Sequence, residues 1–506
     1  VKIAVLVLYA LMMVAVIFFT AKKSISLNDF LLGGRNVGPW MSALSYGTAY
    51  FSAVIIVGYA GSVGWNVGLS AIWAGIGNAL IGSLVGWGLL AKPTRLMGER
   101  LNVATVPSFL EKRYLSKTLK VLSSLIIFVF LLPYSASVYK GLGIMFQKAM
   151  GFDYTWCVIG IALLSSIYLF LGGYRATAVS DFIQGIIMLV GISAVVFYIV
   201  RGAGGVTAGL AALGNEAVAG GLGFNSLLPP KGQGVYLISN VVLTSLGVLG
   251  MPHMIHKFFA IKEASTIKRA TVISTVFCLI IAGGAYFAGS FGHVIFNKLG
   301  ITPTALDQVM PTMLVDQTVV GMPDAFLGLV VVLLLSASIS TLTALVLSSS
   351  SVLSIDLLGA LFPKMEAKRT TLIMRILCIV FVIFSLMVNF LMQGTPIISL
   401  MSLSWGTIAG SFLAPFLYGL LWKGVTKAGV YAGVVCGALT AALPPLVTGN
   451  FALAPISGAC AMGVGLIIVP LVSLLTKKWG FSQDHIDMVF GKKKQDSSAA
   501  SVSVHT

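Results

Sequence analysis

Charged side chains are scarce in this chain of 506 residues: they make up 9% of it, and only 15 are acidic. Soluble domains carry about a quarter charged residues, so an ordinary water-exposed globule is excluded. Cysteine and histidine are thin too, at five each. Cys157, Cys278, Cys378, Cys436 and Cys460 all fall in apolar segments without metal-ligand spacing. They make neither a disulfide framework nor a zinc site. Paired carboxylates, an HExxH pattern and a nucleophile matched to a histidine are absent, so the chain does not read as an enzyme. Nucleotide-binding segments are absent as well.

Long apolar runs fill the space instead, with 58% hydrophobic residues recurring from end to end. A bilayer core about 30 Å thick needs about 20 apolar residues per helix. That ruler gives thirteen spans, near 2–21, 39–63, 66–91, 118–147, 154–172, 176–200, 234–259, 270–296, 323–360, 370–392, 397–421, 428–448 and 454–476. The ninth is too long for one straight span and leaves the bilayer near Asp356. The fold class is therefore an all-α integral membrane protein in one membrane domain.

Signal peptides carry positive charge before the apolar run, whereas Lys22 and Lys23 follow it here, so 2–21 is read as a helix. Charge then sets the orientation. Twenty Lys and Arg fall in the odd-numbered connections, Lys257 among them, against Lys148, Arg201, Lys231 and Lys298 in the even ones. The alternation puts the N-terminus outside and the C-terminus, with Lys492–Lys494, inside. It also accounts for the net charge of +17 without nucleic acid. From about 480 the Ser-rich end reads as a disordered cytoplasmic tail.

Polar groups inside a bilayer are costly and mark pathways. The second span carries Ser45-Tyr46-Gly47-Thr48-Ala49-Tyr50-Phe51-Ser52, hydroxyls around a glycine with few strong helix formers. Local unwinding there would free carbonyl oxygens, the ligands a hard cation takes. The seventh carries Gly247, Gly250 and Pro252, which predict a break. Paired breaks in two halves point to an inverted-repeat transporter. On the ninth, Ala337, Ser340 and Thr341 share one face and could complete an oxygen cage. All three stretches also suit small-residue packing with hydroxyls bonded back to their helices. Asp181 is a carboxylate well inside the sixth span, unless that span starts later. Lys140, in the fourth, either snorkels to the interface or attracts a solute carboxylate. His253 and His256 abut a basic connection and read as interfacial.

These stretches, with Phe30-Leu31-Leu32-Gly33-Gly34-Arg35, Gly172-Gly173-Tyr174-Arg175 and Gly250-Met251-Pro252-His253, resemble the sodium:solute symporters over nearly the whole chain. The resemblance implies a LeuT-type core of five-plus-five inverted repeats, with one extra helix before it and two after. The corresponding division is 1–38, 39–201, 202–233, 234–421, 422–479 and 480–506. It implies Na+ as coupling ion, held by backbone carbonyls of Thr48, Phe51 and Ala337 and hydroxyls of Ser340 and Thr341. Asp181 and Thr343 fall on the ion pathway. Thr343 is followed by Ala344 where a second hydroxyl would complete another site, so one ion per cycle is expected. The proline-carrying branch has an aspartate in place of Tyr50 and aromatics in place of Thr244 and Val248, which argues against proline.

The substrate is expected between the broken helices, lined by Tyr46, Tyr50, Ser52, Tyr134, Ser137, Thr244 and Val248. A small amino acid or monocarboxylate suits that lining. The expected function is sodium-driven uptake by alternating access in a bacterial inner membrane. The partners are a small-molecule solute and the lipid bilayer, with no nucleic acid and no obligate protein partner. A proton-coupled carrier of the same fold is the alternative, and an ion channel or sensor a more remote one.

Overall fold

A backbone in hydrocarbon must bond to itself, and every regular element described here is helical. The computed structural model describes residues 1–21, 38–215, 223–362 and 366–491. The motif Phe30–Arg35 and the basic residues Lys22, Lys23, Lys364 and Lys492–Lys494 lie outside them. Nine helical runs among the described residues are long and apolar enough to cross a membrane, or ten with one bent pair counted.

Helix α1 is Lys2–Ala21 and α2 is Pro39–Tyr50. Phe51 then turns extended, at φ −111° and ψ 129°, and the chain re-forms through a π turn, Val54–Tyr59, into α3, Ala60–Val67. The interruption falls where hydroxyls and small residues cluster, as the sequence predicts. Ser52 restarts the helix by accepting a bond from the Val54 amide at 3.2 Å. A further helical run covers 68–100, and α4 is Lys117–Met150.

The expected spans 154–172 and 176–200 are not separated by a loop. One helix, α5, runs Tyr154–Ala203, with apolar stretches at Tyr154–Ile167 and Thr177–Ala203. Gly172 and Gly173 lower helix propensity but keep their N–H groups, so nothing there forces the ladder to stop. The seventh span does break. Helix α6, Gly234–Gly247, tightens into a 3₁₀ turn and restarts at Pro252 as α7, Pro252–Phe259, with a 44° bend between the arms.

Helix α8 is Ile267–Ser290, α9 is Asp324–Ser351 and α10 is Ala367–Leu391. Helix α11 is Ile397–Leu421, followed by α12, Lys427–Thr448, and α13, Ala454–Leu475. A helix apolar all round is buried. Helices α9 and α11 form the centre, while α10 turns Ile376, Ile379 and Ile383 outward, as a lipid-facing helix does. Glycine lets backbones meet at two crossings: a Cβ at Gly289 would collide with the Ala60 carbonyl, and one at Gly437 with that of Gly410.

The tail differs from expectation. Gln483–Phe490 forms α14, capped by Ser482, with His485 and Val489 buried. The Arg100 guanidinium donates to the Phe490 carbonyl at 2.6 Å, and His485 Nε2 lies 3.0 Å from the Arg113 carbonyl. Composition alone missed it because the polar run begins only beyond this short amphipathic segment.

Candidate ion and solute site

The broken end of α2 lies against the middle of α9. Thr341 Oγ1 lies 3.0 Å from the Ala337 carbonyl, 3.2 Å from that of Ala49 and 3.5 Å from that of Thr48. Ser340 Oγ donates to Thr48 Oγ1 at 3.0 Å, and Ser338 Oγ accepts from the Ala53 amide at 2.9 Å. All these residues are buried. Four of the five expected ligands, Thr48, Ala337, Ser340 and Thr341, therefore converge. The fifth, Phe51, occupies the break, and its ring stacks on Tyr50 at 4.5 Å. Thr343 turns its hydroxyl back to the Ser340 carbonyl at 3.0 Å. Neutral oxygens from two helices, with no carboxylate among them, suit a monovalent hard cation.

One turn earlier on α2, Ser45 Oγ donates to Asp181 Oδ2 of α5. Lys257 Nζ of α7 lies 3.2 Å from the same carboxylate oxygen and 2.7 Å from Ser45 Oγ. Lys257 is 5% exposed, so its sequence assignment to a solvated connection is corrected. His253 and His256 are both buried within the protein, and the His253 ring lies 5.8 Å from that of Tyr134.

The expected solute-lining residues are all buried, and they divide. Tyr50 donates to the Thr244 carbonyl at 2.6 Å and stacks 6.1 Å from Trp405, against whose edge Tyr134 stands at 5.7 Å. Gly247 lies against the same indole, with Val248 next in the 3₁₀ turn. Tyr46 departs from this group: its hydroxyl donates to the Gly82 carbonyl at 2.8 Å, and its ring stacks on Phe258 at 5.5 Å. Ser137 and Thr244 donate to carbonyls of their own helices, at 2.6 and 2.8 Å, and Ser52 caps the restart of the broken helix.

Lys140 neither snorkels nor stands free for a carboxylate. It donates to the carbonyls of Gln393 at 2.8 Å and Thr395 at 2.6 Å and pairs with Asp307 at 3.4 Å. Asp307 in turn accepts from the Ile397 amide at 3.0 Å. The pair lies in the wall of a cavity of about 600 Å³, with Asn66, Tyr154 and Tyr236 nearby.

The sequence model of the sodium:solute symporter family matches residues 30–437. The chain belongs to that family. It is 30% identical to the high-affinity proline transporter PutP of Bacillus subtilis (strain 168), over 84% of this chain and 88% of that one. It is also 30% identical to the sodium/proline symporter of Staphylococcus aureus (strain JH9), over 93% and 92%. A substrate-bound, outward-open sodium-coupled sialic acid symporter superposes with a TM-score of 0.78 at 17% identity, covering 94% of this chain and 97% of that one. The nucleobase-cation symporter Mhp1 in a closed conformation superposes at 0.54, covering 91% and 97%. The fold is thus the LeuT type, and the protein is a multi-pass, sodium-coupled solute symporter rather than an enzyme.

Sequence reasoning missed three parts of this symporter's centre. The Ala49 carbonyl approaches Thr341 more closely than that of Thr48, and the amide four residues on, that of Ala53, donates to Ser338 instead of to it. Trp405 arrives from α11, far along the chain. Lys257 carried a readable signal: Phe258 and Phe259 continue the apolar run past it, which a solvated lysine in a loop would not need.

Proposed function

We propose that this symporter binds one sodium ion per cycle between the break in α2 and the middle of α9. Its ligands would be the carbonyls of Thr48, Phe51 and Ala337 and the hydroxyls of Ser340 and Thr341, with Asp181 and Thr343 on its path. The observation that carries this reading is the meeting of Thr341 Oγ1 with carbonyls of both helices. Thr341 Oγ1 donates among those carbonyls and Ser340 Oγ donates to Thr48 Oγ1, and both hydroxyls would turn their lone pairs to a cation. Sodium thereby fastens α2 to α9, and coupling follows if the outward-open state holds it more tightly.

The solute would sit between the broken helices, against Tyr50, Tyr134 and Trp405, with Tyr46, Ser52, Ser137, Thr244 and Val248 around it. Aromatic and hydroxylic side chains favour a small amino acid or monocarboxylate. Relatives at 30% identity are named for proline, but Tyr50, Thr244 and Val248 depart from that branch's pattern. The division is the one the resemblance implies, with the N-terminus outside and the C-terminus in the cytoplasm of a bacterium, a reading supported by the excess of Lys and Arg in the odd-numbered connections.

Proteoliposomes under an imposed sodium gradient, screened with labelled amino acids and monocarboxylates, test the reading. Accumulation that collapses when the sodium gradient is removed is expected. Accumulation driven by a proton gradient and indifferent to sodium would replace it with the proton-coupled alternative.

A further inference from the structure

We infer that Lys257 is a tethered cation that occupies Asp181 while the ion path is closed, and that sodium leaves toward the cytoplasm by displacing it from that carboxylate. The inference rests on the sodium site proposed above.

A polar thread joins the two places. Ser340 reaches Thr48 Oγ1 at 3.0 Å, and that oxygen lies 3.3 Å from the Ser45 carbonyl. Ser45 Oγ then meets both Asp181 and Lys257 Nζ. Ser45 stands one helical turn nearer the Pro39 end of α2 than Thr48, the cytoplasmic end in the proposed topology. The ammonium therefore sits just beneath the cage, on the side where sodium must leave.

Two features separate this pair from a simple staple. The Asp181 carboxylate is 1% exposed, yet its Oδ1 has no hydrogen-bond partner among the described residues. A buried carboxylate left half-satisfied is costly, and it offers a ready acceptor to a passing cation. The three groups also ride on elements that alternating access must separate. Lys257 is on the far arm of the bent α6–α7 pair, Ser45 on the first arm of the broken α2–α3 pair, and Asp181 on α5. A buried ion pair adds little net stability over apolar side chains, so stability alone does not explain its presence. A lysine ammonium on a flexible stem can swing aside when a competing cation arrives.

The arrangement makes sodium affinity depend on both charges with opposite sign. The test titrates sodium, at constant ionic strength with potassium, against the melting temperature of the purified full-length protein. Radiosodium exchange in proteoliposomes runs in parallel. D181N strands an ammonium beside the cage and should weaken sodium binding on the order of tenfold or more. K257M leaves a carboxylate without its tethered cation and should tighten binding by a similar factor while slowing exchange. K257R should match the wild type, and D181N/K257M should return affinity to near the wild-type value.

Sodium binding by K257M that is unchanged or weaker overturns the inference, as does a double variant no better than D181N. If K257M does not fold, the double variant, which strands no charge, decides alone by the same criterion. S340A separates the two levels. Sodium stabilisation that S340A abolishes and K257M leaves untouched removes the inference and keeps the sodium site. No sodium effect on the wild type removes both.

Discussion

Replacing Thr341 by valine keeps the shape of the side chain and removes one oxygen from the proposed cage. That oxygen stands within 3.5 Å of three carbonyls, those of Ala337, Ala49 and Thr48. Without sodium it serves as an ordinary buried donor, and its loss costs about 1 kcal/mol. With sodium it would be a ligand to a charge, and interactions with charged groups contribute about 1.5–3 kcal/mol. At about 1.4 kcal/mol per decade, T341V should weaken sodium by roughly one to two orders of magnitude. At a sodium concentration of about 100 times Kd, the wild type gains about 2.7 kcal/mol. A hundredfold weaker variant at the same concentration gains only about 0.4 kcal/mol. The assay is the melting temperature in matched NaCl, KCl and choline chloride across a concentration series. The sodium-specific rise should nearly vanish in T341V, while its melting temperature in KCl falls only modestly. A variant with a full sodium-specific rise would refute the assignment of Thr341 as a ligand.

Three further outcomes follow from packing and charge. A Cβ at Gly250 would stand 2.8 Å from Ala409 Cα, so Gly250→Val should separate the break in α6–α7 from α11 and destabilise by about 1–3 kcal/mol, read as lower melting temperature and reduced uptake. Lys140→Met leaves Asp307 buried without its cation and should cost about 3 kcal/mol; adding Asp307→Asn should recover part of it, and an additive loss in that cycle would show that the two do not act as a pair. Burial pushes the Asp316 carboxyl up, but the amides of Val320 and Val319 and the Thr318 hydroxyl outweigh it and hold it below its usual range. A lowered folded value means this contribution is present above the unfolded carboxylate pKa and is lost as pH falls through the folded one. Asp316→Asn should therefore flatten the acid side of the stability profile, and an unaltered profile would show that the loop contributes none of it.

Several parts of the site were legible because a local rule decides them. Pro252 lacks an N–H and follows Gly247 and Gly250, and together they break the seventh span where Pro133 and Pro415 alone leave their helices continuous. Hydroxyls and glycine around Thr48 favour the helix less than leucine and alanine would, and α2 ends just past them, with the chain extended at Phe51. Ala337, Ser340 and Thr341 had to share a face at helical spacing. Other parts escaped because their partners lie far off in sequence. Lys257 looked like one more basic residue at a membrane edge until α5 set Asp181 opposite it. Lys140 looked like a free cation until the start of α11 and the Asp307 turn enclosed it. Gly172 and Gly173 misled in the other direction, since glycine weakens a helix without forbidding it.

The sequence by itself determined that this protein lives in a bilayer, where its helices break and which faces carry oxygen. Those properties follow from desolvation cost and backbone geometry, which act residue by residue. Only the tertiary structure decided which oxygens meet, that Trp405 joins Tyr50 to Tyr134, and that each buried lysine has a buried aspartate as its counter-ion. Those are matters of which helices become neighbours. The close approaches at Gly289 and Gly437 help to set that, through contacts that local spacing along the chain does not encode.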